Sequence, residues 1–230
     1  MPVITRVYLV RHGATELSAE DRFAGAVDVL LSAEGREQAR LLGQRLAGES
    51  ICAVYASPMK RTVTTAELVA EPQGLAVERV DALREINHGR WEGKTRKEVE
   101  QAYPEEYERY EADPYSFAPL GGESGLLVTA RALPALLDLV QRNEGKRFLI
   151  VSHKATIRLL LSSLLGFDPR KYRDRLDQSP AALNVLDFKE LAHARLSLFN
   201  DTSHYSGANV PEMPRNRLSR IWDEDEGNPS

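Results

Sequence analysis

Short apolar runs alternate with longer amphipathic stretches along this chain. Four runs rich in β-branched and aromatic residues predict strands, at residues 6–10, 51–57, 75–80 and 147–152. Leucine and alanine recur at helical spacing between and after these runs, which predicts helices at residues 31–49, 57–71, 130–143 and 154–166. Because short strand–helix–strand connections favour parallel pairing, we predict an α/β fold. Its three layers are a mostly parallel sheet with helices on both faces.

The ends of these elements carry local signals. Ser32 is a candidate N-cap for the first helix, and Ser57 is one for the second, with Pro58 at its first helical position. Pro134 lies inside the third helix and is expected to kink it. Residues 182–188 and 194–199 predict two late strands around a turn, which add an antiparallel edge to the sheet.

Residues 94–120 interrupt the alternation. This stretch is charged and rich in tyrosine, with prolines at positions 104, 114 and 119, so we expect a lid or substrate loop. We expect residues 1–207 to form a single domain that includes this insertion. Residues 208–230 carry mixed charge and little apolar content, which predicts a tail that is loose or packs only in part.

Composition narrows the class of protein. A hydrophobic content of 42% beside a charged content of 28% indicates a folded domain, and a net charge of −4 argues against nucleic-acid binding by bulk charge. The single cysteine, Cys52, cannot form an internal disulfide, and no apolar run approaches the ~18 residues of a membrane helix. The apolar stretch before Arg11 is short for a signal peptide. We therefore expect a cytoplasmic protein that binds neither membrane nor nucleic acid.

Polar groups follow the predicted strands, at the edge where sites form in doubly wound sheets. The first strand ends at Arg11 and His12 and the fourth at His153, while Arg61 lies early in the second helix and Glu85 follows the third strand. Arginines suit phosphate, an unprotonated imidazole nitrogen can attack phosphorus, and a carboxylic acid can protonate a leaving alcohol. Each residue alone also has a structural interpretation. No Walker loop and no metal-ligand spacing is present, so we predict neither a P-loop nor a metal site.

Five sequence blocks carry a resemblance to a known family. They are "LVRHGATE", "SPMKRTVTTAEL", "LREINHGRWEG", "GGES" followed by Arg131, and "VSHKATIR". In this order they resemble the histidine phosphatase superfamily, also called phosphoglycerate-mutase-like, over residues 9–158.

The resemblance implies a role for each of five residues and no cofactor. His12 would be the nucleophile that becomes a phosphohistidine, and Arg11 and Arg61 would bind the phosphoryl oxygens. His153 would stabilise the transferred charge. Glu85 would protonate the leaving group and then activate water.

The chain also departs from the family pattern. Leu17 and Ser18 stand where a Trp-Asn pair is usual, so Ser18 would bind phosphate through its hydroxyl or leave a gap. The "DRFAG" block keeps Arg22 and Gly25 as candidate substrate or phosphate contacts. Lys154 replaces the usual glycine after the second histidine, where its backbone N–H or its side chain could serve the site.

Two further histidines are candidate substrate contacts. His88, three residues after Glu85, and His204, in "NDTSHY", resemble substrate-facing positions of the metal-independent phosphoserine phosphatases of the family. A surface His88 and a strand-end His204 are the structural alternatives. Phosphosugars and phosphoglycerate derivatives also remain open as substrates.

The alternative functions differ in what happens to the phosphoryl group after it is bound. Family mutases carry an arginine after the acid-block glutamate and an arginine pair in the lid, whereas this chain has Ile86 and separated Arg96 and Arg109. We therefore expect hydrolysis of a small phosphorylated metabolite. A phosphoglycerate-type mutase, a non-catalytic phosphate-binding module and a regulator of phosphoproteins are the alternatives. A homodimer through the late edge strands is a further expectation.

Overall fold

A six-stranded sheet organises the protein in the computed structural model, which describes residues 4–16, 22–191 and 193–206. The strands are β1 (Thr5–Arg11), β2 (Ile51–Ala56), β3 (Val77–Arg79), β4 (Arg147–Ser152), β5 (Leu183–Glu190) and β6 (His193–Asp201). The α-helices of the described residues are α1 (Ala33–Leu46), α2 (Lys60–Ala70), α3 (Arg96–Ala102), α4 (Pro104–Ala112), α5 (Gly125–Arg142), α6 (Lys154–Leu165), α7 (Tyr172–Arg175) and α8 (Ser203–Ser206).

The sheet is mostly parallel, with an antiparallel edge. Its strand order is β3-β2-β4-β1-β5-β6, and the pairs β3–β2, β2–β4 and β4–β1 are parallel while β1–β5 and β5–β6 are antiparallel. Arg11 at the end of β1 pairs with Ser152 at the end of β4. The predicted fold class is therefore confirmed, and the two strands that precede the candidate histidines end side by side.

Alternate residues of each central strand face opposite helical layers. Tyr8 and Val10 of β1 pack in one cluster with α1 and α2, whereas Val7 and Leu9 pack in the other with α5 and α6. The side chains of Val10 and Leu9 are fully buried. Since burying such a side chain stabilises the fold by roughly 1.5–3 kcal/mol, these two apolar layers make β1 a rigid support for the residues that follow it.

Two helix starts differ in how well local signals predicted them. Ser32 caps α1 as expected, and its Oγ accepts from Gly35 N at 3.1 Å. The prediction that Ser57 caps the second helix is wrong, because α2 begins at Lys60 with Met59 as N-cap. Ser57 Oγ instead pairs with His153 Nε2, so a long-range partner replaces the local cap.

The helix predicted at residues 130–143 begins earlier than its apolar spacing indicated. Ser124 caps α5 by accepting from Leu127 N at 3.3 Å, and the helix continues as one element through Pro134. The extra turn brings the "GGES" block to the helix start, next to the loop that carries Glu85.

Residues 94–120 leave the sheet as expected, but they are largely helical. Helices α3 and α4 pack on an aromatic cluster in which Tyr107, Tyr110 and Trp91 are buried, with Trp91 and Tyr110 ring centroids 5.3 Å apart. The cluster joins the insertion to Phe23 of the main body. The lid role of this insertion stays a prediction, and the predicted tail at residues 208–230 lies outside the described residues. Within the described ranges, no helix is long and apolar enough to cross a membrane.

Candidate active site

A cavity of about 130 Å³ opens where β1 and β4 end. Eight of the eleven predicted site residues line it: Arg11, His12, Arg22, Gly25, Arg61, Glu85, His88 and Lys154. A ninth, His153, lies directly beneath this lining, with its ring centroid 5.3 Å from that of His12. Segments more than 140 residues apart in the sequence thus meet at one place, as the strand-end argument predicted.

The His12 ring is held in one tautomer. Its Nδ1–H donates to the Gly13 carbonyl at 2.8 Å, because a carbonyl oxygen can only accept. Burial, followed by the nearby charges of Arg61 and Arg11, lowers the pKa of His12 well below its usual value. At neutral pH the ring is therefore uncharged, and Nε2 carries a free lone pair. That is the state a nitrogen nucleophile requires.

Gly13 allows the chain after His12 to pass against α1. A Cβ at Gly13 would lie 2.3 Å from the Gly35 carbonyl oxygen, far inside van der Waals contact. The Gly13 amide donates to Thr65 Oγ1 of α2 at 3.1 Å. The glycine of the "RHG" block is thus required by close backbone packing, which fixes the carbonyl that orients His12.

Arg61 is a buried cation with three anchors. Its Nε donates to His153 Nδ1 at 3.3 Å, and its terminal nitrogens donate to the carbonyls of Val27 at 2.7 Å and Gly25 at 2.8 Å. Only 2% of the residue is exposed. A guanidinium has five N–H donors, so two are left over for the oxygens of an anion in the cavity.

His153 is also neutral, with the opposite tautomer. Since Arg61 donates to Nδ1, the proton of the neutral ring lies on Nε2, which donates to Ser57 Oγ at 2.8 Å. Burial and the charge of Arg61 lower the pKa of His153 well below its usual value. Ser57 therefore fixes the orientation of the second histidine, a role that its position before α2 did not suggest.

Arg11 reaches the other side of the cavity. Its guanidinium donates to the Gln178 carbonyl at 2.6 Å, while its buried Nε has no partner among the described residues. Burial, with a further contribution from Arg158, lowers the pKa of Arg11 to about 10. Arg11 therefore remains a cation at neutral pH and keeps donors for an oxyanion.

The Glu85 side chain contacts the first turn of α6. Oε2 accepts from Ala155 N at 3.1 Å, and Oε1 accepts from the amide and hydroxyl of Thr156, both at 3.2 Å. These hydrogen bonds from the helix N-terminus hold the Glu85 carboxyl group at the cavity wall.

Arg131 fixes the backbone of the Glu85 loop. Its guanidinium donates to the carbonyls of Ala82 at 2.7 Å, Arg84 at 2.8 Å and Glu85 at 3.1 Å. Glu123 completes the set through an ion pair at 2.8 Å. The arginine that follows the "GGES" block thus acts on the position of Glu85 and not on the cavity itself.

His88 forms part of an aromatic wall. Its ring lies 4.9 Å from Phe23, 6% of the residue is exposed, and Nδ1 has no partner among the described residues. Burial lowers the pKa of His88 to about 4, so the ring is neutral at physiological pH. The surface alternative for His88 is wrong.

His204 lies apart from the cavity. It belongs to α8, where its ring contacts Tyr205 at 4.8 Å, near the ion pair of Arg45 and Asp201. It is not among the residues that line the cavity. The following side chain, Tyr205, turns toward the body instead and donates to the Pro180 carbonyl at 2.7 Å. Ser18 lies outside the described residues.

No group of three or more His, Cys, Asp or Glu side chains could hold a metal ion within the parts of the chain that the structure describes. Side chains give the cavity positive charge. The cationic residues in its lining are Arg11, Arg22, Arg61, Lys154, Arg158 and Arg173.

Comparison with known proteins identifies the family of this chain. The sequence model of the histidine phosphatase superfamily (branch 1) matches residues 7–202, which is most of the chain. The chain belongs to the histidine phosphatase superfamily. Phosphoserine phosphatase 1 of Hydrogenobacter thermophilus is 34% identical over 201 residues, which cover 87% of this chain and 94% of that protein. The chain is accordingly a phosphatase, a phosphoric monoester hydrolase of this superfamily.

Two other relatives illustrate the breadth of the superfamily. The solved structure of Bacillus stearothermophilus YhfR has a TM-score of 0.81 and 31% identity, covering 87% of this chain and 98% of that one. A probable phosphoglycerate mutase, GpmB of Yersinia enterocolitica, is 34% identical and covers 91% of this chain and 99% of its own. The fold is therefore shared between relatives that are named for different reactions.

Several residues of this histidine phosphatase site were missed at the sequence level. They are Ser57, Tyr110, Thr156, Arg158, Tyr172 and Arg173. Arg158 had a usable signal, because it lies four residues after Lys154 and so on the same face of α6. Arg173 and the two tyrosines had none, since they reach the cavity only through tertiary packing.

Proposed function

We propose that this protein hydrolyses a small phosphomonoester through a phosphohistidine at His12. The observation that carries the proposal is the His12 ring, with Nδ1–H fixed on the Gly13 carbonyl and Nε2 unprotonated beside Arg11 and Arg61. A neutral nitrogen nucleophile and two guanidiniums in one buried cavity match what phosphoryl transfer requires.

In the first step, the lone pair of His12 Nε2 attacks phosphorus and forms an N–P bond. The bond between phosphorus and the alcohol oxygen breaks, and protonated Glu85 donates its proton to that oxygen. Arg11 and Arg61 bind the phosphoryl oxygens and stabilise the charge that develops there, while His153 accepts from Arg61 Nε and so positions that guanidinium.

In the second step, water attacks the phosphohistidine. The Glu85 carboxylate, now deprotonated, accepts a proton from the water as the O–P bond forms and the N–P bond breaks. Inorganic phosphate leaves, and His12 and protonated Glu85 are restored. The guanidiniums supply the positive charge throughout, so we expect turnover without a metal ion.

The size and lining of the cavity favour a small alcohol. Phosphoserine is one candidate, supported by the relative named phosphoserine phosphatase 1, and phosphosugars and phosphoglycerate derivatives are others. Arg22, Gly25, His88 and Lys154 line the cavity and would contact the substrate. We expect Ser18 to contribute as well, although it lies outside the described residues.

A phosphoglycerate-type mutase is the second candidate, because GpmB is also similar to this chain. A mutase must hold an anionic substrate while it reorients and must exclude water. Arg109 of the insertion stacks on Phe117, with its guanidinium carbon 5.1 Å from the ring centroid, and neither it nor Arg96 lines the cavity. This arrangement favours hydrolysis. His12 is only 7% exposed, which disfavours a flat site for phosphoproteins.

The test is a phosphate-release screen over small phosphomonoesters in the presence of a chelator. We expect release that survives chelation, disappears in His12→Ala, and is slowed by Glu85→Gln most strongly for esters with poor leaving groups. Rapid quenching should trap an acid-labile, base-stable phosphoprotein that His12→Ala lacks. Transfer of phosphate between positions of phosphoglycerate without release would favour the mutase. Tight binding with neither release nor transfer would favour the binding module.

A further inference from the structure

The block "LREINHGRWEG" contains a second glutamate besides Glu85. This residue, Glu92, places its carboxylate between two backbone segments, where Oε1 accepts from the His88 amide at 2.8 Å and from the Ala26 amide at 3.0 Å. The other oxygen, Oε2, is also buried. Glutamate is seldom buried, because removing a carboxylate from water is unfavourable unless it is hydrogen-bonded. The proposed mechanism leaves this carboxylate without a role.

Both segments that Glu92 joins line the cavity. Ala26 follows Gly25 in the connection between β1 and α1, and Gly25 is in the cavity lining. His88 belongs to the loop after β3 and is in the lining too. Glu92 itself is not among the lining residues. One acceptor oxygen outside the cavity thus fixes two of its walls relative to each other.

The two segments are in direct contact next to Glu92. A Cβ at Gly25 would lie 1.7 Å from the Ile86 carbonyl oxygen and 3.1 Å from Glu92 Oε1, so only glycine fits at this position. Beside this contact, the Phe23 amide donates to the Lys94 carbonyl at 2.9 Å. Because no space separates the segments, a change in the Glu92 acceptor is transmitted to the backbone around Gly25.

The same backbone provides two of the three anchors of Arg61. The amide of the Gly25–Ala26 peptide group donates to Glu92, and the carbonyl of that peptide group accepts from Arg61 at 2.8 Å. The next carbonyl in the chain, that of Val27, accepts from Arg61 at 2.7 Å. Hydrogen bonds in such a chain polarise and strengthen one another. A single peptide group therefore links the Glu92 carboxylate to the buried guanidinium.

The charge of Glu92 acts in the same direction as this link. Burial lowers the pKa of Arg61, and Glu92 is one of the carboxylates whose charge opposes that shift. We propose that Glu92 is a positioning residue for phosphoryl binding, which holds Arg61 in place through the Gly25–Ala26 peptide group. This inference rests on the proposed hydrolysis at His12, in which Arg61 binds the phosphoryl oxygens.

Two substitutions of similar size separate the acceptor from the volume of the side chain. Glu92→Gln keeps an oxygen that can accept from both amides, whereas Glu92→Met removes the acceptor. We expect the Kd of inorganic phosphate, measured by calorimetry, to rise about 10-fold in Glu92→Met, as the loss of one charge-assisted hydrogen bond from Arg61 provides. In Glu92→Gln it should stay within about three-fold of the wild-type value, because the hydrogen bonds to both amides remain.

Kinetics should distinguish this role from that of a proton donor. Glu85 has its own partners on α6 and does not depend on Glu92 for them. We therefore expect kcat/KM in Glu92→Met to fall by the same factor for alkyl phosphates and for p-nitrophenyl phosphate. A loss confined to alkyl phosphates would show that the variant displaces Glu85 and would overturn the proposed route through Arg61.

Arg61→Lys tests whether the effect of Glu92 passes through Arg61. A lysine lacks the planar fork that bonds to both loop carbonyls and to phosphate. If the two residues act as one unit, adding Glu92→Met to Arg61→Lys should raise the phosphate Kd by less than about two-fold. Titration followed by phosphorus NMR covers the weaker binding. A rise of about 10-fold in both backgrounds would show that the residues act independently and would overturn the proposal.

Glu49→Met is the matched control. Glu49 precedes β2 at the end of the sheet opposite the cavity, and its Oε2 accepts from the Tyr8 hydroxyl at 2.5 Å. This variant should lose stability in urea while the phosphate Kd stays unchanged. If Glu92→Met fails to fold, Glu92→Asp, which withdraws the acceptor by one carbon, measures the same loss. Equal effects of the Glu49 and Glu92 variants on the Kd would refute the positioning role.

Phosphate binding and turnover are measured separately, so the two proposals can fail separately. Ester hydrolysis by the wild type, with a phosphate Kd that Glu92→Met does not change, supports hydrolysis and rejects the positioning role. A Kd that rises in Glu92→Met and not in Glu92→Gln supports the positioning role even if no ester is hydrolysed. A wild type that binds no phosphate contradicts both proposals.

Discussion

The side-chain amides of Gln178 and Asn184 hydrogen-bond to each other in both directions, at 2.9 and 2.8 Å. Both residues are fully buried, and Asn184 also donates to the Leu9 carbonyl at 3.0 Å. The backbone carbonyl of Gln178 is in turn the acceptor for Arg11. The amide pair therefore links the backbone acceptor of Arg11 to the strand that carries Arg11.

Replacing Asn184 by leucine should weaken phosphate binding. The variant removes the hydrogen bonds that the Asn184 amide makes to Gln178 and to the Leu9 carbonyl, so we expect a loss of about 1–3 kcal/mol in the free energy of unfolding. Because Arg11 also loses a fixed acceptor, we expect the inhibition constant of inorganic phosphate to rise several-fold. Urea unfolding and product-inhibition kinetics measure the two effects.

Asn143→Leu is the matched control for this variant. Asn143 is a buried amide that donates to Tyr55 Oη at 3.0 Å and to the Leu139 carbonyl at 2.8 Å, away from the cavity. It should lower stability to a similar extent without changing the phosphate inhibition constant. If both variants shift that constant equally, the link from Asn184 to Arg11 is refuted.

The pH dependence of kcat/KM should reveal the neutral His12. The pKa of His12 is lowered by burial, Arg61 and Arg11, so the active neutral form persists as the pH falls through 6.5 and is lost only at lower pH. The fall in kcat/KM at low pH that belongs to the free enzyme should therefore have its midpoint below pH 6.5. This midpoint is read after correction for the second ionisation of the ester, which has a pKa of about 6. A midpoint at or above pH 6.5 would contradict a buried nucleophile.

Arg131→Lys should slow the first chemical step without touching the cavity. Lysine keeps the charge but cannot bond at once to the Ala82, Arg84 and Glu85 carbonyls and to Glu123. Since Glu85 then loses its fixed position, we expect kcat to fall about 10-fold for alkyl phosphates and far less for p-nitrophenyl phosphate, which needs little protonation.

Arg142→Lys provides the comparison for Arg131. Arg142 pairs with Glu78 at 3.0 Å on an exposed surface, and its conservative replacement should leave both substrates unaffected. Equal losses on alkyl and p-nitrophenyl phosphates in Arg131→Lys would indicate general structural damage and not a displaced proton donor.

Ser57→Ala should lower kcat with little change in stability. The variant removes the partner of His153 Nε2–H and frees the ring to rotate between Arg61 and His12. We expect kcat to decrease several-fold while the melting temperature changes by only a few degrees, because one neutral hydrogen bond contributes about 1 kcal/mol. Ser57→Thr, which keeps the hydroxyl, should restore part of the rate. A wild-type rate in Ser57→Ala would show that His153 is held by Arg61 alone.

Local signals in the sequence predicted the positions of three residues of the proposed mechanism. His12, Glu85 and His153 directly follow strands or their loops, and parallel strands bring such positions to one edge of a sheet whatever lies between them. The groups that orient them were harder to predict. Ser57 has the local pattern of a helix cap, yet a partner 96 positions away in the chain determines its role.

The same reasoning explains the errors at helix ends and at the substrate side of the site. The start of α5 depended on Ser124, whose capping role appears only when the preceding turn is folded. His204 follows β6, which ends at the same edge as β1 but is the outermost strand, two positions away in the sheet, and His204 does not line the cavity. A histidine after a strand predicts a site only when that strand is central.

The start of α6 follows His153 directly, holds Glu85 through Ala155 and Thr156, and carries Lys154 and, one turn later, Arg158 in the cavity lining. Under the proposed mechanism, the placement of the proton donor and part of the substrate lining thus depend on six consecutive residues, 153–158. Exchanging this segment between relatives would alter both while His12 and its strand stay unchanged.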